Sequence, residues 1–236
     1  MSDRLAEFKS TRRYIRGPEL AIGDLECLEK GSKEKLLGTT LNAIGALIQQ
    51  LAARDGNTDF AVFSSFLSPL ISHKLRQGTV YGTIEGLILA ACEGEGKESL
   101  LAKARWLFPL YGNYPPHWVL GYLELGAREF YICDGSPELN SDIWAEPALV
   151  ELAEAVYAYL GVLNVNLEPF KTRYQSPPPL MRQINSWACG FFVIDAMLLL
   201  AKGESTAGVT NENTERVKAH ALDLILNNLP GSQSRN

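Results

Sequence analysis

The stretch Gln183-Ile184-Asn185-Ser186-Trp187-Ala188-Cys189-Gly190 decides how this sequence is interpreted, because it places a thiol between a polar loop and a long apolar segment. Residues 188–201 are strongly apolar and predict a buried helix that begins beside Cys189. At a helix N-terminus, unpaired backbone N–H groups and the positive end of the helix dipole favour thiolate over thiol. The stretch therefore predicts a reactive cysteine.

A histidine and an aspartate upstream supply the other groups that such a thiol needs. His117 opens the apolar run 118–125, and Asp134 closes the run 128–133, seventeen residues after the histidine. The short loop Gly126-Ala127 between the two strand-like runs predicts a β-hairpin.

Together these residues predict a cysteine-nucleophile active site. His117 would take the thiol proton and return it to the leaving amine, and Asp134 would orient the imidazole. The Gln183 amide and the backbone N–H of Cys189 would stabilise a developing oxyanion, and Gly190 would let a substrate backbone approach closely. Each residue alone has an ordinary structural explanation, but the four in this order and spacing favour the catalytic interpretation.

Length and composition fit one large globular domain in preference to two small ones: 236 residues, 46% apolar and 21% charged, with a net charge of −5. The acidic balance argues against a general nucleic-acid partner. No run reaches the ~18 apolar residues of a membrane span, and the N-terminus lacks the apolar stretch of a secretory signal. We expect an intracellular protein of the nucleus or cytoplasm that is a monomer and has no membrane or nucleic-acid partner.

The cysteine pattern also favours an intracellular location. They include no Cys-x-x-Cys pair, so neither a disulfide framework nor a structural zinc site is predicted. We expect no metal and no cofactor. The four cysteines are Cys27, Cys92, Cys133 and Cys189.

The remaining pattern predicts a compact α+β domain with helices on either side of a central, partly antiparallel sheet. Residues 1–20 are interpreted as an N-terminal arm and residues 21–230 as a single catalytic domain. Thr39-Thr40 are predicted to cap a helix that reaches Leu51, and Pro147 is predicted to open another at its first turn.

At these residues the sequence resembles the ubiquitin-like-protein-specific cysteine proteases, the deSUMOylase family. That family carries His-Trp, an Asp seventeen residues after the His, and Gln-x-Asn-x-x-x-Cys-Gly. The present sequence has His117-Trp118, Asp134 and the stretch 183–190 in the same arrangement. Weaker matches extend the resemblance over roughly residues 20–205, at 24–28, 60–67 and 105–110.

The resemblance implies a papain-like fold with the nucleophile on a central helix and with His117 and Asp134 on the sheet. It implies cleavage after the Gly-Gly tail of a ubiquitin-like modifier, SUMO-like above all, carried on a lysine or a peptide. Trp118 matches the residue that covers the diglycine channel in the family. Trp187 is expected either to line the leaving-group side or to pack under the loop.

Three departures from the family pattern concern the substrate side of the cleft. Thr40-Leu41-Asn42-Ala43 stands where the family usually has Trp-Leu-Asn-Asp, so one tryptophan wall of the tail channel is missing or supplied elsewhere. Ala188 replaces an Asp before the nucleophile, and Gly135 replaces a Ser after the acid. None of these changes removes a catalytic group.

Two alternatives remain open on sequence alone. The same clan contains processing proteases and acyltransferases that use the same kind of triad through a thioester. The departures at residues 40 and 43 are also compatible with a module that binds a ubiquitin-like protein without cleaving it.

Overall fold

The structure is a computed structural model, and it describes residues 13–14, 19–69, 81–91, 97–161, 171–175 and 182–228. Seven strands and the following α-helices have their bounds within these ranges. The helices are α1 (Gly38–Arg54), α2 (Tyr81–Ala90), α3 (Lys97–Ala102), α4 (Asp142–Tyr159), α5 (Cys189–Ala201) and α6 (Thr214–Asn227). The strands are β1 (Arg13–Tyr14), β2 (Glu19–Leu20), β3 (Phe60–Val62), β4 (Arg105–Asn113), β5 (Pro116–Glu124), β6 (Glu129–Cys133) and β7 (Lys171–Gln175).

A five-stranded mixed sheet in the order β3-β4-β5-β6-β7 forms the centre of the fold. β4, β5 and β6 are antiparallel, while β3 and β7 run parallel to their neighbours. The predicted hairpin is confirmed: β5 pairs with β6 from Leu120 opposite Cys133 to Glu124 opposite Glu129. This pairing places the beginning of β5 next to the end of β6.

Helices cover both faces of the sheet, which confirms the predicted α+β, papain-like architecture. Along β5, Trp118, Leu120 and Tyr122 pack into one apolar cluster with α1, α5 and α6. Val119 and Leu123 point the other way, into a second cluster with α4 and residues of α2 and α3. The alternation follows from the two-residue period of a strand that is buried on both faces.

The helix that follows the decisive stretch is buried on nearly all sides. Residues 189–197 of α5 are all buried, and the helix packs between β5, α1 and α6. The prediction of a nucleophile at the N-terminus of a buried helix is therefore confirmed as a matter of position. None of the helices in the described ranges is long and apolar enough to cross a membrane.

Two predicted helix starts are wrong. α4 begins at Asp142, so Pro147 lies inside the helix rather than at its first turn. The missing N–H of Pro147 costs one intrahelical hydrogen bond, but burial of Ala145 and Leu149 on either side holds the helix together.

α1 begins at Gly38, so Thr39 and Thr40 lie within its first turn and do not cap it. Their hydroxyls instead bind Asp24 in the 3-10 turn Ile22–Leu28: Thr39 donates to its carboxylate at 3.4 Å, and Thr40 to its carbonyl oxygen at 2.6 Å. The predicted arm, residues 1–20, lies mostly outside the described residues, and the domain boundaries stay a prediction.

Candidate active site

His117, Asp134 and Cys189 lie where the beginning of β5, the end of β6 and the N-terminus of α5 meet. His117 is the second residue of β5, and Asp134 directly follows β6. Because β5 and β6 are antiparallel, these two positions are neighbours. Cys189 is the first residue of α5, which packs against β5. The topology thus joins residues that are far apart in the sequence.

The imidazole and the carboxylate form a buried ion pair. His117 Nε2 lies 2.7 Å from Asp134 Oδ1, and the Ser136 amide donates to the same oxygen at 2.7 Å. Burial alone would raise the pKa of Asp134, but the hydrogen bond and charge of His117, aided by the Ser136 N–H, bring it below its usual value. Because Nε2 is engaged by Asp134, Nδ1 is the ring nitrogen that remains for the thiol.

The Cys189 sulfur is surrounded by donors. The donors that act on its pKa are the His117 ring and the backbone N–H groups of Trp118 and Gly190. Burial would raise the pKa of Cys189, but these donors outweigh it and lower the pKa below that of a free thiol. For His117, burial lowers the pKa, yet Asp134 and Cys189 together raise it to about 9. Both shifts favour the thiolate–imidazolium form of the pair over the neutral thiol and imidazole.

Two other cysteines show that burial does not produce this ionisation. Cys27 and Cys133 are 3% and 7% exposed, close to the 3% of Cys189. Burial raises the pKa of Cys27 to about 11 and that of Cys133 to about 12. The donors around Cys189 make the difference, so Cys189 alone of these three cysteines has a lowered pKa. Cys92 lies outside the described residues.

Gln183 is buried in the loop that precedes α5, and its backbone N–H donates to Gly135 O at 2.6 Å. Its Nε2 donates to Asn185 O. An amide group has two N–H donors, so one remains for an oxyanion. Asn185 also shapes the loop, since its Oδ1 accepts from the amides of Trp187 at 3.1 Å and Ala188 at 2.8 Å. The N–H of Cys189 belongs to the first turn of α5, where amides lack intrahelical acceptors.

Trp118 lies along the nucleophile region and is only 6% exposed. Its Nε1 donates to Leu36 O at 3.0 Å, and its ring packs against that of Tyr111 with centroids 4.7 Å apart. A Cβ at Gly190 would lie 2.7 Å from Leu36 Cβ and 3.3 Å from Trp118 Cδ1. Gly190 therefore makes room for the chain's own Leu36, a packing role that the sequence analysis did not foresee. Contacts of Trp118 and Gly190 with substrate stay predictions.

Trp187 packs within the fold. Its ring lies 6.1 Å from the Phe191 ring, and the Lys218 ammonium sits 4.4 Å from its centroid. Of the two alternatives from sequence, these contacts favour packing under the loop, and a contact with the leaving group stays a prediction.

The departures from the family pattern have local structural explanations. Thr40 is fully buried with its hydroxyl bonded to Asp24, so it cannot stand in for a tryptophan on the cleft. A Cβ at Gly135 would lie 2.8 Å from Phe192 Cδ1, so a glycine at this position leaves room for the Phe192 ring. Tyr111, 43% exposed and packed on Trp118, is an aromatic side chain bordering this region.

Sequence reasoning missed several supporting residues. The Ser136 amide binds Asp134 because Asp-Gly-Ser forms an Asx turn, a signal that sequence carries. The Asn185 side chain bonds to two loop amides before α5, which an asparagine just ahead of a helix could also have suggested. Leu36 carries no such signal. Within the described ranges, no cluster of His, Cys, Asp and Glu side chains could hold a metal ion.

Comparison with known proteins gives matches in structure alone. No protein-family model matches the chain, and no curated protein matches its sequence. A structure of the SUMO protease Ulp1, with its catalytic cysteine oxidized to a sulfenic acid, superposes with a TM-score of 0.69 at 17% identity, covering 95% of this chain and 91% of that chain.

Two further structures agree. The Chaetomium thermophilum Ulp1-like SUMO protease catalytic domain has a TM-score of 0.65 at 23% identity, covering 96% of this chain and 88% of that chain. The C-terminal Ulp1 protease domain in complex with Smt3, the yeast ortholog of SUMO, has a TM-score of 0.65 at 17% identity, covering 95% and 92%. The chain therefore has the fold of the Ulp1-type SUMO protease catalytic domains.

Proposed function

We propose that this chain is a thiol isopeptidase that cleaves after the C-terminal Gly-Gly of a ubiquitin-like modifier, SUMO-like in kind. The observation that carries the proposal is the buried Cys189–His117–Asp134 arrangement, in which the thiol pKa is lowered and the imidazole pKa is raised. The shared fold with SUMO protease domains, one of them in complex with Smt3, supports the choice of substrate.

The first half of the reaction starts from the Cys189 thiolate and the His117 imidazolium. The Cys189 thiolate attacks the carbonyl carbon of the terminal glycine, and the carbonyl oxygen becomes an oxyanion. The Cys189 N–H and the free N–H of Gln183 Nε2 donate to that oxygen. As the tetrahedral intermediate collapses, the C–N bond breaks and the His117 imidazolium gives its Nδ1 proton to the leaving amine. The modifier remains as a thioester on Cys189.

Hydrolysis of the thioester reverses the roles. His117, now neutral, takes a proton from a water molecule that attacks the thioester carbonyl. The C–S bond breaks, the modifier leaves as a carboxylic acid that gives its proton to solvent, and the thiolate–imidazolium pair is restored. Asp134 keeps Nε2 protonated throughout, so that Nδ1 is always the nitrogen that exchanges the proton.

Trp118 is proposed to cover the glycine tail as it enters. The ring spans from Gly190, next to the nucleophile, to Gly38, whose Cβ position would lie 3.6 Å from Trp118 Cη2. Leu36 lies against Gly190 and Phe66 lies against Gly38, so the chain's own side chains already crowd both ends of the indole. A tail without side chains of its own is the substrate chemistry that suits so narrow a space.

A panel of modifier C-terminal fluorogenic amides tests the function. SUMO, ubiquitin and related modifiers ending in Gly-Gly are offered to wild-type protein and to Cys189→Ser, with folding checked by circular dichroism. We expect release of the fluorophore from the SUMO-like substrate by wild type and none by Cys189→Ser, because an alcohol is a poor nucleophile without a stronger base. A folded wild type that is silent on every modifier would refute the proposal.

A further inference from the structure

The backbone of the segment that carries Gln183 is held by hydrogen bonds on both of its sides. On one side, the Gln183 N–H donates to Gly135 O at 2.6 Å. On the other side, the Asn211 side chain acts twice: its Oδ1 accepts from the Ile184 N–H at 3.1 Å, and its Nδ2 donates to Arg182 O at 2.5 Å. The Asn211 side chain therefore bonds to the backbone on both sides of Gln183, as the backbone of a neighbouring strand would.

Asn211 is itself tied to the helix of the nucleophile. It begins the 3-10 turn Asn211–Asn213, which precedes α6. The side chain of Asn213 donates to Asp195 Oδ2 at 3.1 Å and to Gly208 O at 3.0 Å. Asp195 is a buried residue of α5, the same helix that starts at Cys189. The contacts thus close a ring that runs from Cys189 along α5 to Asp195, through the turn, and back to Gln183.

Side-chain burial contributes little to holding this segment. Arg182 is exposed, and Ile184 is 81% exposed. Gln183, at 5% exposed, is buried, but a polar amide gains little from burial by itself. A short segment with few apolar contacts opens easily unless hydrogen bonds fix it. The two hydrogen bonds of the Asn211 side chain are therefore well placed to determine where the Gln183 amide points.

We propose that Asn211 is a positioning residue that sets the Gln183 amide for the oxyanion, acting through the backbone on both sides of Gln183. The inference rests on the proposed function, since the oxyanion belongs to that reaction. Asn211 touches neither the thiolate nor the substrate in this scheme. Its effect must therefore appear in the step where negative charge develops, and it must vanish when the Gln183 amide is absent.

Steady-state kinetics of Asn211→Ala on the modifier amide tests the proposal. We expect kcat to fall roughly 10–100-fold with KM changed by less than about twofold, because a displaced donor costs transition-state stabilisation without changing tail binding. In a Gln183→Ala background, adding Asn211→Ala should cost nothing further. Alkylation of Cys189 by iodoacetamide, which forms no oxyanion, should keep the wild-type rate in Asn211→Ala.

Asn57 provides a matched control. Its side chain also makes one bond in each direction to backbone, accepting from the Asp59 N–H at 3.2 Å and donating to Ala201 O at 2.5 Å. Ala201 lies at the far end of α5, twelve residues or about 18 Å from the nucleophile. Asn57→Ala therefore removes equivalent bonds and should leave kcat at the wild-type value.

The outcomes separate the inference from the proposed function. An active wild type with unchanged kcat in Asn211→Ala, or equal losses in Asn211→Ala and Asn57→Ala, overturns the positioning role alone. Additive losses with Gln183→Ala overturn it as well. A wild type without turnover on any modifier removes both. If Asn211→Ala does not fold, Asn211→Asp keeps the acceptor for Ile184 and is expected to give a smaller kcat loss with the same dependence on Gln183.

Discussion

Replacing Asp134 with asparagine should move the alkaline limit of the reaction. Asparagine keeps the shape and an oxygen for the Ser136 amide, but it removes the negative charge 2.7 Å from His117 Nε2. Burial lowers the pKa of His117, and the raised value of about 9 depends largely on this carboxylate. Measured from the ordinary value of 6.5, the stabilisation of the imidazolium amounts to roughly 3 kcal/mol.

The sign of the effect follows from protonation. A raised histidine pKa stabilises the folded protein fully below about 6.5, and this contribution is lost as the pH rises through about 9. In Asp134→Asn the imidazolium should lose its proton near or below neutral pH, so that no acid remains for the leaving amine. The alkaline limb of the kcat/KM profile should move from about 9 to neutral pH or below.

The assay is the pH profile of kcat/KM, accompanied by a nuclear magnetic resonance titration of the His117 ring. Asp55→Asn is the control, since Asp55 is an exposed carboxylate at the end of α1. It should leave both the ring titration and the alkaline limb where they are in wild type. If Asp134→Asn retains a limb near 9, the ion pair does not set the histidine pKa and the reasoning fails.

Three further substitutions test separate parts of the site and its support. Gln183→Ala should lower kcat by roughly 10²–10³ in the modifier amide assay, and a variant as fast as wild type would exclude an oxyanion role. Gly190→Ala should destabilise the fold by about 1–3 kcal/mol in urea unfolding, because the new Cβ meets Leu36 at 2.7 Å, whereas Gly126→Ala has open space and should have little effect. Lys218→Met should cost about 2–4 kcal/mol, since it removes a buried ammonium that binds Ser32 O and lies over Trp187, while the exposed Lys33→Met should cost almost nothing; equal stabilities would contradict this support.

The hairpin could be predicted from sequence because its signals are local. The apolar runs, the Gly126-Ala127 loop and the seventeen-residue spacing determine which residues pair, and the pairing brings His117 beside Asp134. The Asp-Gly turn and the ion pair are both present, because a single carboxylate oxygen accepts from Ser136 and His117. A local turn and a long-range contact therefore share one residue.

The parts that sequence did not predict depend on tertiary packing. Pro147 reads as a helix start, yet α4 begins earlier because Trp144 lies over Gly112 and Ala145 is buried in the core. Leu36 fills the space that Gly190 leaves, and Asn211 brackets Gln183 from another part of the chain. Contacts of this kind join residues with no shared periodicity or motif, so a single sequence does not reveal them.

A modifier that carries an electrophile in place of its terminal carboxylate probes the reactivity of the Cys189 thiolate itself. We expect a SUMO-like modifier ending in Gly-Gly to form one covalent adduct, mapped by mass spectrometry to Cys189 and absent from both Cys189→Ala and His117→Ala near neutral pH. Cys27 and Cys133, whose pKa values burial raises to about 11 and about 12, should remain unlabelled. A folded wild type that forms no adduct, or one that is labelled at another cysteine, would refute the assignment of Cys189 as the nucleophile.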